Sequence, residues 1–299
     1  MKNRVERRRS WYNFPHRWFI LFSLLPVLFL WGISYMWPVA YGICLSFTKY
    51  NLLRPPRFIG LGNFFALLQD PIFKKSLKAT VLFACYAVPI NIVITFLIAL
   101  ALNRIVKLQG FFRTIYFTPA TMSLAIVSLL WAFIYAYPKG IINQIFQLMG
   151  LSAQKWLTSP FLALPSLVIM ILWVDIGYNV ILFIAGLRGI PNHFYEAAQI
   201  DGANNWQLFW NVTMPLLRPT LLFVVVMTSI WYFQVFAPMQ IMTGGGPNYS
   251  TNVLPLYVYN NAFAYLKMGY ASALSIILFT FIIILTLVYF KVLQQKWEY

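Results

Sequence analysis

Long apolar segments recur along the whole chain, and this repetition constrains the fold more than any other feature. A helix needs about 20 consecutive, mostly apolar residues to cross a membrane, and the segments leave no block large enough for a soluble domain. With 61% hydrophobic and 9% charged residues, the chain also has too few charges to cover a soluble globule. We therefore predict an all-α polytopic membrane protein with one membrane domain over residues 1–299. Six transmembrane helices are expected, at residues 18–45, 77–102, 114–136, 160–186, 219–242 and 269–292.

The basic residues predict the orientation. The chain has 22 Lys and Arg against 6 Asp and Glu, and because the bases lie mostly beside apolar segments, lipid and topology explain them better than a nucleic-acid partner. Placing both termini, including the basic segment 1–17, in the cytoplasm puts more bases inside than outside. One outer loop weakens this argument with six bases, Lys49, Arg54, Arg57, Lys74, Lys75 and Lys78. The apolar run from Trp18 is too long for a cleaved signal peptide, so we predict a retained first helix.

Cofactor and catalytic chemistry has no support in the sequence. Cys44 and Cys85 both fall in apolar segments, and the two histidines, His16 and His193, form no cluster, so neither a disulfide framework nor a metal site is predicted. The chain lacks a G-x-x-x-x-G-K-[ST] motif to hold ATP phosphates. We expect no catalytic residue and no cofactor bound by this chain.

A polar segment, Arg188–Pro219, stands between the fourth and fifth apolar segments. Its first half predicts a short helix with Asn192 as N-cap. One face of that helix carries Phe194, Ala197, Ala198 and Asp201, and the two small alanines allow another protein to approach closely. Gly202 is expected to stop the helix, since glycine adopts the left-handed backbone angles that a sharp reversal requires.

The second half of this segment predicts another helix with an aromatic stripe. Trp206, Phe209, Trp210 and Thr213 follow the i, i+3, i+4, i+7 spacing of one helix face. Pro215 and Pro219 are expected to end this helix before the fifth span begins. On the predicted topology the two helices are cytoplasmic, where a bulky apolar stripe is typical of a surface that a partner binds.

Two outer segments also predict folded structure. Gly244, Gly245, Gly246 and Pro247 force turns at the start of the outer loop (residues 243–268). The aromatic residues that follow need something to pack on, so we predict a folded outer lid containing Tyr257, Tyr259, Phe263 and Tyr265. In the first outer loop, Phe64, Leu67 and Leu68 are spaced as one face of a short helix on the membrane surface.

Polar and aromatic residues inside the fourth and fifth spans predict a substrate path. Asp175 is a lone acid within an apolar segment, and such groups generally face a bundle interior or an aqueous cavity. Aromatic faces next to hydrogen-bonding groups suit a sugar, whose C–H faces stack on rings while its hydroxyls need partners. The candidates are Trp173, Asp175, Tyr178, Asn179, Thr228, Trp231, Tyr232 and Gln234. Helix packing and an interfacial aromatic belt are the alternative for each of them.

Several of these motifs occur together in one known family. The polar segment resembles the EAA loop of permease subunits of binding-protein-dependent ABC importers, through Glu196, Ala197, Ala198, Asp201, Gly202, Ala203, Phe209, Val212, Pro215 and Pro219. Other segments resemble the carbohydrate permeases of the MalF/UgpA type. They are Phe58–Leu61 with Asn63 and Phe64, Phe112–Pro119, Gly140–Asn143, and Thr243–Pro247 with Thr251. The likeness extends over nearly the whole chain.

The resemblance implies the six-helix architecture of a type I ABC importer permease in a prokaryotic cytoplasmic membrane. It implies that the EAA helices dock on an ATPase subunit through Glu196, Ala197, Ala198, Asp201, Gly202, Ala203, Trp206, Phe209 and Pro215. Glu196 would meet a basic group there, and Gly202 would set the angle between the helices.

The partners implied are a second, different permease, two ATPase subunits carrying ATP and Mg, and an extracellular or periplasmic sugar-binding protein. The substrate class implied is a carbohydrate, with an oligosaccharide or a polyol-like derivative expected, moved by alternating access.

Two other functions remain as alternatives. A secondary transporter driven by an ion gradient would need intramembrane charge pairs and repeats, and the sequence offers only Asp175 without a repeat. A membrane-embedded transferase would need clustered Asp, Glu or His, and no such cluster is present.

Overall fold

Helices make up almost all of the structure, a computed structural model that describes residues 15–104 and 109–293. Residues 1–14 of the basic N-terminal segment lie outside the described residues. So do Lys107 and Lys296, two further bases that the predicted orientation places in the cytoplasm. The first part contains α1 (Pro15–Trp31), which continues through a π-helical turn (Gly32–Met36) into α2 (Trp37–Ser46), then β1 (Thr48–Lys49), β2 (Arg57–Phe58), α3 (Gly62–Gln69) and α4 (Pro71–Arg104).

The second part is built around three further long helices. Its elements are α5 (Gln109–Thr121), α6 (Leu124–Ile134), α7 (Ile141–Leu148), α8 (Ala163–Arg188), α9 (Asn192–Ile200), α10 (Asn205–Leu208), a π-helical turn (Phe209–Thr213), α11 (Met214–Gln234), α12 (Ala237–Thr243), α13 (Leu254–Tyr259), a π-helical turn (Asn260–Ala264) and α14 (Met268–Leu293). The two strands pair antiparallel, with Thr48 opposite Phe58 and Lys49 opposite Arg57.

The number of spans agrees with a polytopic membrane protein. Within the described residues, five helices are long and apolar enough to cross a membrane, at Trp18–Ser46, Pro71–Asn103, Ala163–Arg188, Asn205–Gln234 and Met268–Leu293. A sixth crossing results if α5 and α6, which meet at a bend of 97°, form one span. The fold class predicted from the apolar segments is therefore confirmed.

Two of the predicted spans are not the single continuous helices that were expected from the sequence. Residues 114–136 do not form one straight helix, because the extended backbone of Ser123 (ψ 124°) interrupts the helical hydrogen bonds between α5 and α6. The predicted fifth span, 219–242, stops at Gln234. Pro238 has no N–H to donate to the Gln234 carbonyl, so the chain turns at Val235 and restarts as α12.

The helix α8 occupies the centre of the bundle. It packs along α4 and also contacts α5, α6 and α11. In its most apolar stretch of 18 residues 56% is buried, a larger share than in any other long span of the described residues. The main core cluster joins Leu167 and Ile171 of α8 with Phe83 of α4, Tyr232 of α11 and Met239 of α12. The polar side chains of Ser166 and Asn179 on α8 are therefore buried among other helices.

A glycine in α8 lets α5 approach its backbone. A Cβ added at Gly177 would lie 2.2 Å from the carbonyl oxygen of Tyr116 and 2.7 Å from Cα of Phe117. Both obstacles are backbone atoms, so they cannot move aside as the end of a side chain can. Only glycine fits at this crossing, and the position of α5 depends on it.

We expect Gly177→Ala to destabilise the folded protein. Forcing one extra carbon into a packed contact costs about 1–3 kcal/mol, which lowers the melting midpoint of a chain of this size by roughly 2–12 °C. The measurement is thermal unfolding of the purified protein in detergent. Gly42→Ala in α2 is the matched control, since a Cβ there meets nothing within 4 Å. Equal midpoints for the two variants would contradict the proposed close contact.

Two asparagines of the family-like segments hold loops in place. Asn63, at the start of α3, donates from Nδ2 to the carbonyl oxygens of Ser46 (2.7 Å) and Thr48 (2.9 Å). The fully buried Asn143 donates to Gln154 O and accepts from the Gln154 N–H and the Trp156 indole. These residues have structural contacts that account for their positions.

The predicted short helix of the first outer loop forms as α3 (Gly62–Gln69). Leu67 is fully buried against α14 and α4, whereas Leu68 is 63% exposed. The buried face contains Asn63, Phe64 and Leu67, because the asparagine side chain fixes the rotation of the helix. The described part of the chain leaves Leu68 exposed, which suits a side chain of a helix that lies on the membrane surface.

The outer loop is folded against α4 and α14. Thr251 Oγ1 donates to Gly246 O (2.7 Å), Asn252 Nδ2 donates to Ser76 Oγ (2.8 Å), and the Leu254 N–H donates to Thr80 Oγ1 (2.7 Å). The aromatic residues divide into two groups: Tyr257 is 7% exposed, but Phe263 and Tyr265 are 62% and 59% exposed within this chain. The loop aromatics also contact one another and the bundle: the Tyr259 ring stacks on Phe236 at 5.4 Å and meets Phe263 at 5.1 Å between ring centroids. The outer loop is therefore folded, as predicted.

One carboxylate ties this loop to two spans. Asp70 Oδ2 accepts hydrogen bonds from the hydroxyls of Tyr257 and Tyr270, and Oδ1 accepts one from the Ile72 N–H. Burial raises the pKa of Asp70, but these hydrogen bonds outweigh it and hold the pKa below the usual 3.8. A carboxyl whose pKa is lowered by folding stabilises the folded state at pH values above its ordinary pKa. This stabilisation is lost as the pH falls through the lowered pKa of the folded state. The contact is therefore complete near neutral pH.

Candidate functional site

The EAA loop forms two helices joined by a tight turn at Gly202. α9 ends in a Schellman motif, in which the Gly202 N–H donates to Gln199 O (3.0 Å) and the Ala203 N–H donates to Ala198 O (2.9 Å). Gly202 has φ +83°, a left-handed conformation that favours glycine. A Cβ at this position would meet nothing within 4 Å. The backbone angle, and not crowding, requires glycine here.

The caps of the two helices differ from the prediction. Asn192 is the first residue of α9, and the N-cap is Pro191, which has no side-chain hydrogen bond to offer. The asparagine cap belongs to the second helix: Asn204 Oδ1 accepts from the N–H groups of Trp206 and Gln207, and Gln207 Oε1 accepts from the Asn204 N–H. The spacing Asn204-x-x-Gln207 is the sequence signal of such a capping box, and it could have been recognised.

The second EAA helix does not end at Pro215 or Pro219, as predicted. Residues Asn205–Gln234 form one continuous helical span. In the π-helical turn the Met214 N–H donates to Phe209 O, which shifts the hydrogen-bond pattern by one residue directly before Pro215. Such local adjustments allow proline inside membrane helices. The second EAA helix and the fifth span are therefore one continuous helix.

The aromatic stripe divides between the exterior and the bundle. Trp206 and Trp210 are 70% and 49% exposed, while Phe209 packs against Phe96 of α4 at 6.2 Å between ring centroids. Phe96 in turn contacts Phe183 of α8 at 5.4 Å. The loop thus presents apolar rings outward and packs one ring against α4.

The two EAA helices are also linked to each other. The Tyr195 hydroxyl and Thr213 Oγ1 are 3.1 Å apart, and Thr213 is buried. Sequence reasoning missed Tyr195, because its partner lies beyond the turn. The carboxylate-bearing Glu196 and Asp201 are exposed, as are Ala197 and Gly202, whereas Ala198, Ala203 and Pro215 are partly covered. The predicted contact residues are therefore accessible on one side of the loop.

The second candidate site is a cavity of about 350 Å³ inside the bundle. It lies between α5, α8 and α11, and its lining combines aromatic rings, apolar side chains and three polar groups. The lining residues are Phe117, Ala120, Val174, Asp175, Tyr178, Asn179, Met227, Thr228 and Trp231. Five of the eight residues predicted for the substrate path are among them.

A hydrogen-bonded network supports the polar wall of this cavity. Asp175 Oδ2 accepts from the Tyr232 hydroxyl (3.1 Å), Asn91 Nδ2 (3.2 Å) and Asn179 Nδ2 (3.3 Å). Asn179 Nδ2 also donates to Asn91 Oδ1 (2.7 Å) and Thr228 Oγ1 (2.9 Å). None of the hydrogen bonds among the described residues uses Asp175 Oδ1. The carboxylate is thus held in place through one of its two oxygens.

The other three predicted path residues lie elsewhere. Trp173 packs on Trp131 of α6 at 5.7 Å between ring centroids. Gln234 lines a different groove, next to Phe236 and Tyr259. Tyr232 is 1% exposed and stands behind the cavity wall, where it orients Asp175. On α8 the residues two positions apart face different sides of the helix, so Trp173 and Asp175 cannot share one cavity.

Sequence reasoning also missed Asn91, the fully buried centre of the network. Asn91 belongs to the second span and lies 84 residues before Asp175. A polar residue in the middle of an apolar span is the signal that could have found it.

A family model decides the identity of the chain. The model of the binding-protein-dependent transport system inner membrane component matches residues 4–298. The chain belongs to this family. Membership makes it a transport subunit of a multi-pass membrane system, and it does not fit the ion-gradient-driven alternative or the transferase. The resemblance drawn from the EAA loop is confirmed.

Relatives of this permease extend over nearly its full length. It is 35% identical to a probable ABC transporter permease protein of Pyrococcus horikoshii, covering 91% of this chain and 94% of the relative. It is 30% identical to the sulfoquinovosyl glycerol transport system permease protein SmoG of Agrobacterium fabrum, covering 99% and 96%. It is 32% identical to the sn-glycerol-3-phosphate transport system permease protein UgpA of Brucella abortus, covering 96% and 98%.

A solved structure has the same fold. A chain of the bacterial alginate ABC transporter, in complex with an alginate pentasaccharide-bound periplasmic protein, matches this permease with a TM-score of 0.79. The match covers 92% of this chain and 93% of that chain, at 22% identity. At this identity the likeness shows the fold, and it confirms the permease architecture.

Proposed function

We propose that this permease forms one half of the membrane pathway of an ATP-driven importer of a carbohydrate. A second, different permease completes the pathway, and two ATPase subunits that hold ATP and Mg bind the EAA loops. A binding protein delivers the substrate on the opposite side. Both termini of the permease are cytoplasmic in this arrangement. Transport occurs by alternating access, in which the cavity opens first to one side of the membrane and then to the other.

The observation that carries the proposal is the cavity between α5, α8 and α11 and its connection to the EAA loop. Trp231 and Tyr178 offer ring faces for the C–H faces of a sugar, while Asp175, Asn179 and Thr228 offer hydrogen-bond partners for hydroxyls. α11 is one helix with the second EAA helix. Closure of the ATPases would therefore move Thr228 and Trp231 directly and change the walls of the cavity.

The chemistry of the cavity favours a neutral, hydroxyl-rich substrate. Its described lining residues contain a carboxylate and no Lys or Arg, so an anionic group would meet a negative charge without a compensating cation. The relatives named for sulfoquinovosyl glycerol and sn-glycerol-3-phosphate support the class of sugar and polyol derivatives. Both of these named compounds carry an anionic group, which the cavity of this chain does not match. The relatives therefore support the sugar and polyol class, and the cavity of this chain supports an uncharged member of it.

The test is uptake by the purified complex in proteoliposomes. We expect accumulation of a radiolabelled neutral oligosaccharide only when the binding protein is on one side and hydrolysable ATP is on the other. A non-hydrolysable ATP analogue should abolish it. Uptake that follows an imposed proton or sodium gradient without ATP would overturn the proposal.

Charge reversal at Glu196 should weaken the contact with the ATPase. Glu196 is exposed on α9, in the EAA loop, and a charged pair at an interface costs about 2–5 kcal/mol when it is broken. We expect Glu196→Lys to lower the amount of ATPase that co-purifies with the permease by at least about tenfold. The measurement is quantitative gel analysis of the complex after affinity purification.

Gln199→Lys is the control for Glu196, because it adds a positive charge to an exposed position of the same helix. It should leave co-purification close to that of the unmodified permease. If both substitutions have the same effect, a general change of surface charge explains the loss and the assigned contact is wrong.

A further inference from the structure

A second cleft, of about 370 Å³, lies at the end of the bundle opposite the EAA loop. Three elements form it: the beginning of α4, the segment that leads into α8, and the part of the outer loop after Pro247. Its lining residues are Lys75, Lys78, Ala79, Leu82, Tyr86, Pro160, Phe161, Leu164, Pro165, Asn248, Tyr249 and Ser250. It is separate from the substrate cavity and has the opposite charge.

The polar groups of this cleft are arranged around two lysines. Lys75 Nζ donates to Asn248 Oδ1 (2.9 Å) and lies 5.4 Å from the centroid of the Tyr249 ring. Lys78 is exposed, and no hydrogen bond or ion pair joins it to the part of the chain that the structure describes. The hydroxyl oxygen of Ser250 is buried without a hydrogen-bond partner. The cleft therefore offers two cations to a partner.

The backbone that carries these groups is strained and firmly held. Asn248 and Tyr249 have φ of 51° and 63°, which is uncommon for asparagine and an outlier for a ring-bearing residue. Such strain persists only where the surrounding structure fixes it, and it is concentrated at functional sites. Here Thr251 and Asn252 fix the loop through their bonds to Gly246 and to Ser76 of α4. The cleft is thus preorganised for a partner.

Exposed aromatic residues around the lysines point to a protein partner. Phe161, Tyr86 and Tyr249 are 87%, 47% and 43% exposed, and aromatic residues are enriched at the centre of protein interfaces. Anionic lipids attract basic segments mainly to the cytoplasmic leaflet. In the proposed orientation this cleft faces the other side, where six bases of the first outer loop create a positive surface.

We infer that this cleft is a docking site for an acidic surface segment of the binding protein. Lys75 and Lys78 pair with its Asp or Glu side chains, and Phe161 and Tyr249 pack against the adjoining apolar part. The inference rests on the proposed partnership with a binding protein, and it adds the position and the charge of the contact. Carboxylates held by two ammonium groups give an association that weakens with salt.

The experiment measures binding of the substrate-loaded binding protein to the purified complex in lipid nanodiscs. We expect Lys75→Glu with Lys78→Glu to raise the Kd at least about tenfold and to flatten its dependence on NaCl. The matched control is Lys139→Glu with Lys155→Glu, which changes the charge by the same amount at exposed positions outside the cleft. The control should change the Kd by less than about threefold.

Cross-linking tests the contact in the unmodified complex. A carbodiimide joins a lysine amine to a carboxylate only when the two touch, so peptides linking Lys75 or Lys78 to the binding protein are expected by mass spectrometry. This measurement keeps the inference testable even if the double variant fails to fold.

Three outcomes would overturn the inference. One is equal Kd values for the cleft and control variants, and another is the absence of cross-links at both lysines. The third is binding that depends on these lysines only in nanodiscs containing phosphatidylglycerol and not in pure phosphatidylcholine, which would assign the cleft to lipid. If docking depends on the lysines but no carbohydrate is taken up, the docking site stands and the proposed substrate class fails.

Discussion

Replacing Gly202 by valine should abolish uptake while leaving the permease inserted and folded. Gly202 has φ +83°, and a left-handed conformation costs a residue with a Cβ roughly 1–2 kcal/mol, with β-branched side chains the least suited. To relieve that strain, the turn must give up the Schellman bonds from Gly202 to Gln199 and from Ala203 to Ala198. α9 would then leave its angle to the second EAA helix.

The effect should follow the backbone preference and not the size of the side chain, since a Cβ at Gly202 meets nothing within 4 Å. Asparagine adopts the left-handed conformation more readily than other residues. We therefore expect Gly202→Asn to keep substantial uptake, Gly202→Ala to be intermediate, and Gly202→Val to fall to the background.

Uptake and ATP hydrolysis are measured on the same proteoliposomes for the three Gly202 variants. We expect the valine variant to lose uptake even where some ATPase subunits remain bound. Normal transport by Gly202→Val would refute a role of this turn in coupling. If asparagine is as harmful as valine, a partner must contact this position directly, and steric size would replace backbone conformation as the explanation.

Asp175→Asn should raise the substrate concentration needed for half-maximal uptake by about 10- to 100-fold. A hydrogen bond to a charged group contributes about 1.5–3 kcal/mol, and Asp175 is the carboxylate that lines the cavity. Asparagine has nearly the same shape, so the helices should stay packed. Uptake is measured over a range of concentrations, with the melting midpoint as a check on folding.

Tyr232→Phe is the matched control for Asp175. It removes one donor to Oδ2 and the acceptor of an Asn91 Nδ2 hydrogen bond (2.8 Å), but the tyrosine is buried behind the cavity and two amide donors to Oδ2 remain. Its effect on half-maximal uptake should be less than about threefold. If Tyr232→Phe is as harmful as Asp175→Asn, the carboxylate serves packing between spans and does not contact the substrate.

The EAA loop and the cavity between α5, α8 and α11 differ in how much of each could be predicted from the sequence alone. The two helices of the EAA loop and the turn between them could be predicted, because Gly202 and the spacing of the aromatic residues are local signals. The capping residues of the two helices were not predicted correctly. Its continuation through Pro215 into α11 was not predictable, because a single shifted hydrogen bond decides whether proline ends a helix or is accommodated.

The substrate cavity was predictable only in part. Asp175, Asn179 and Thr228 are polar residues in apolar spans, which marks them without a structure. Their partner Asn91 comes from another span, and the exclusion of Trp173 and Gln234 depends on how α8 and α11 are rotated. The lysine cleft likewise joins segments around residues 75, 161 and 249, which no local pattern relates.

The sequence by itself determined that this is a helical membrane protein, the family to which it belongs and the turn at Gly202. Apolar length, glycine, proline and capping residues act within one or two helical turns, so they can be read locally. The tertiary structure alone decided which face of each span points inward. Lipid and the bundle interior are both apolar, so an apolar helix carries little information about its rotation. The rotation of α8 turns Asp175 toward the cavity, and the rotation of α4 turns Lys75 and Lys78 into the cleft at the opposite end of the bundle.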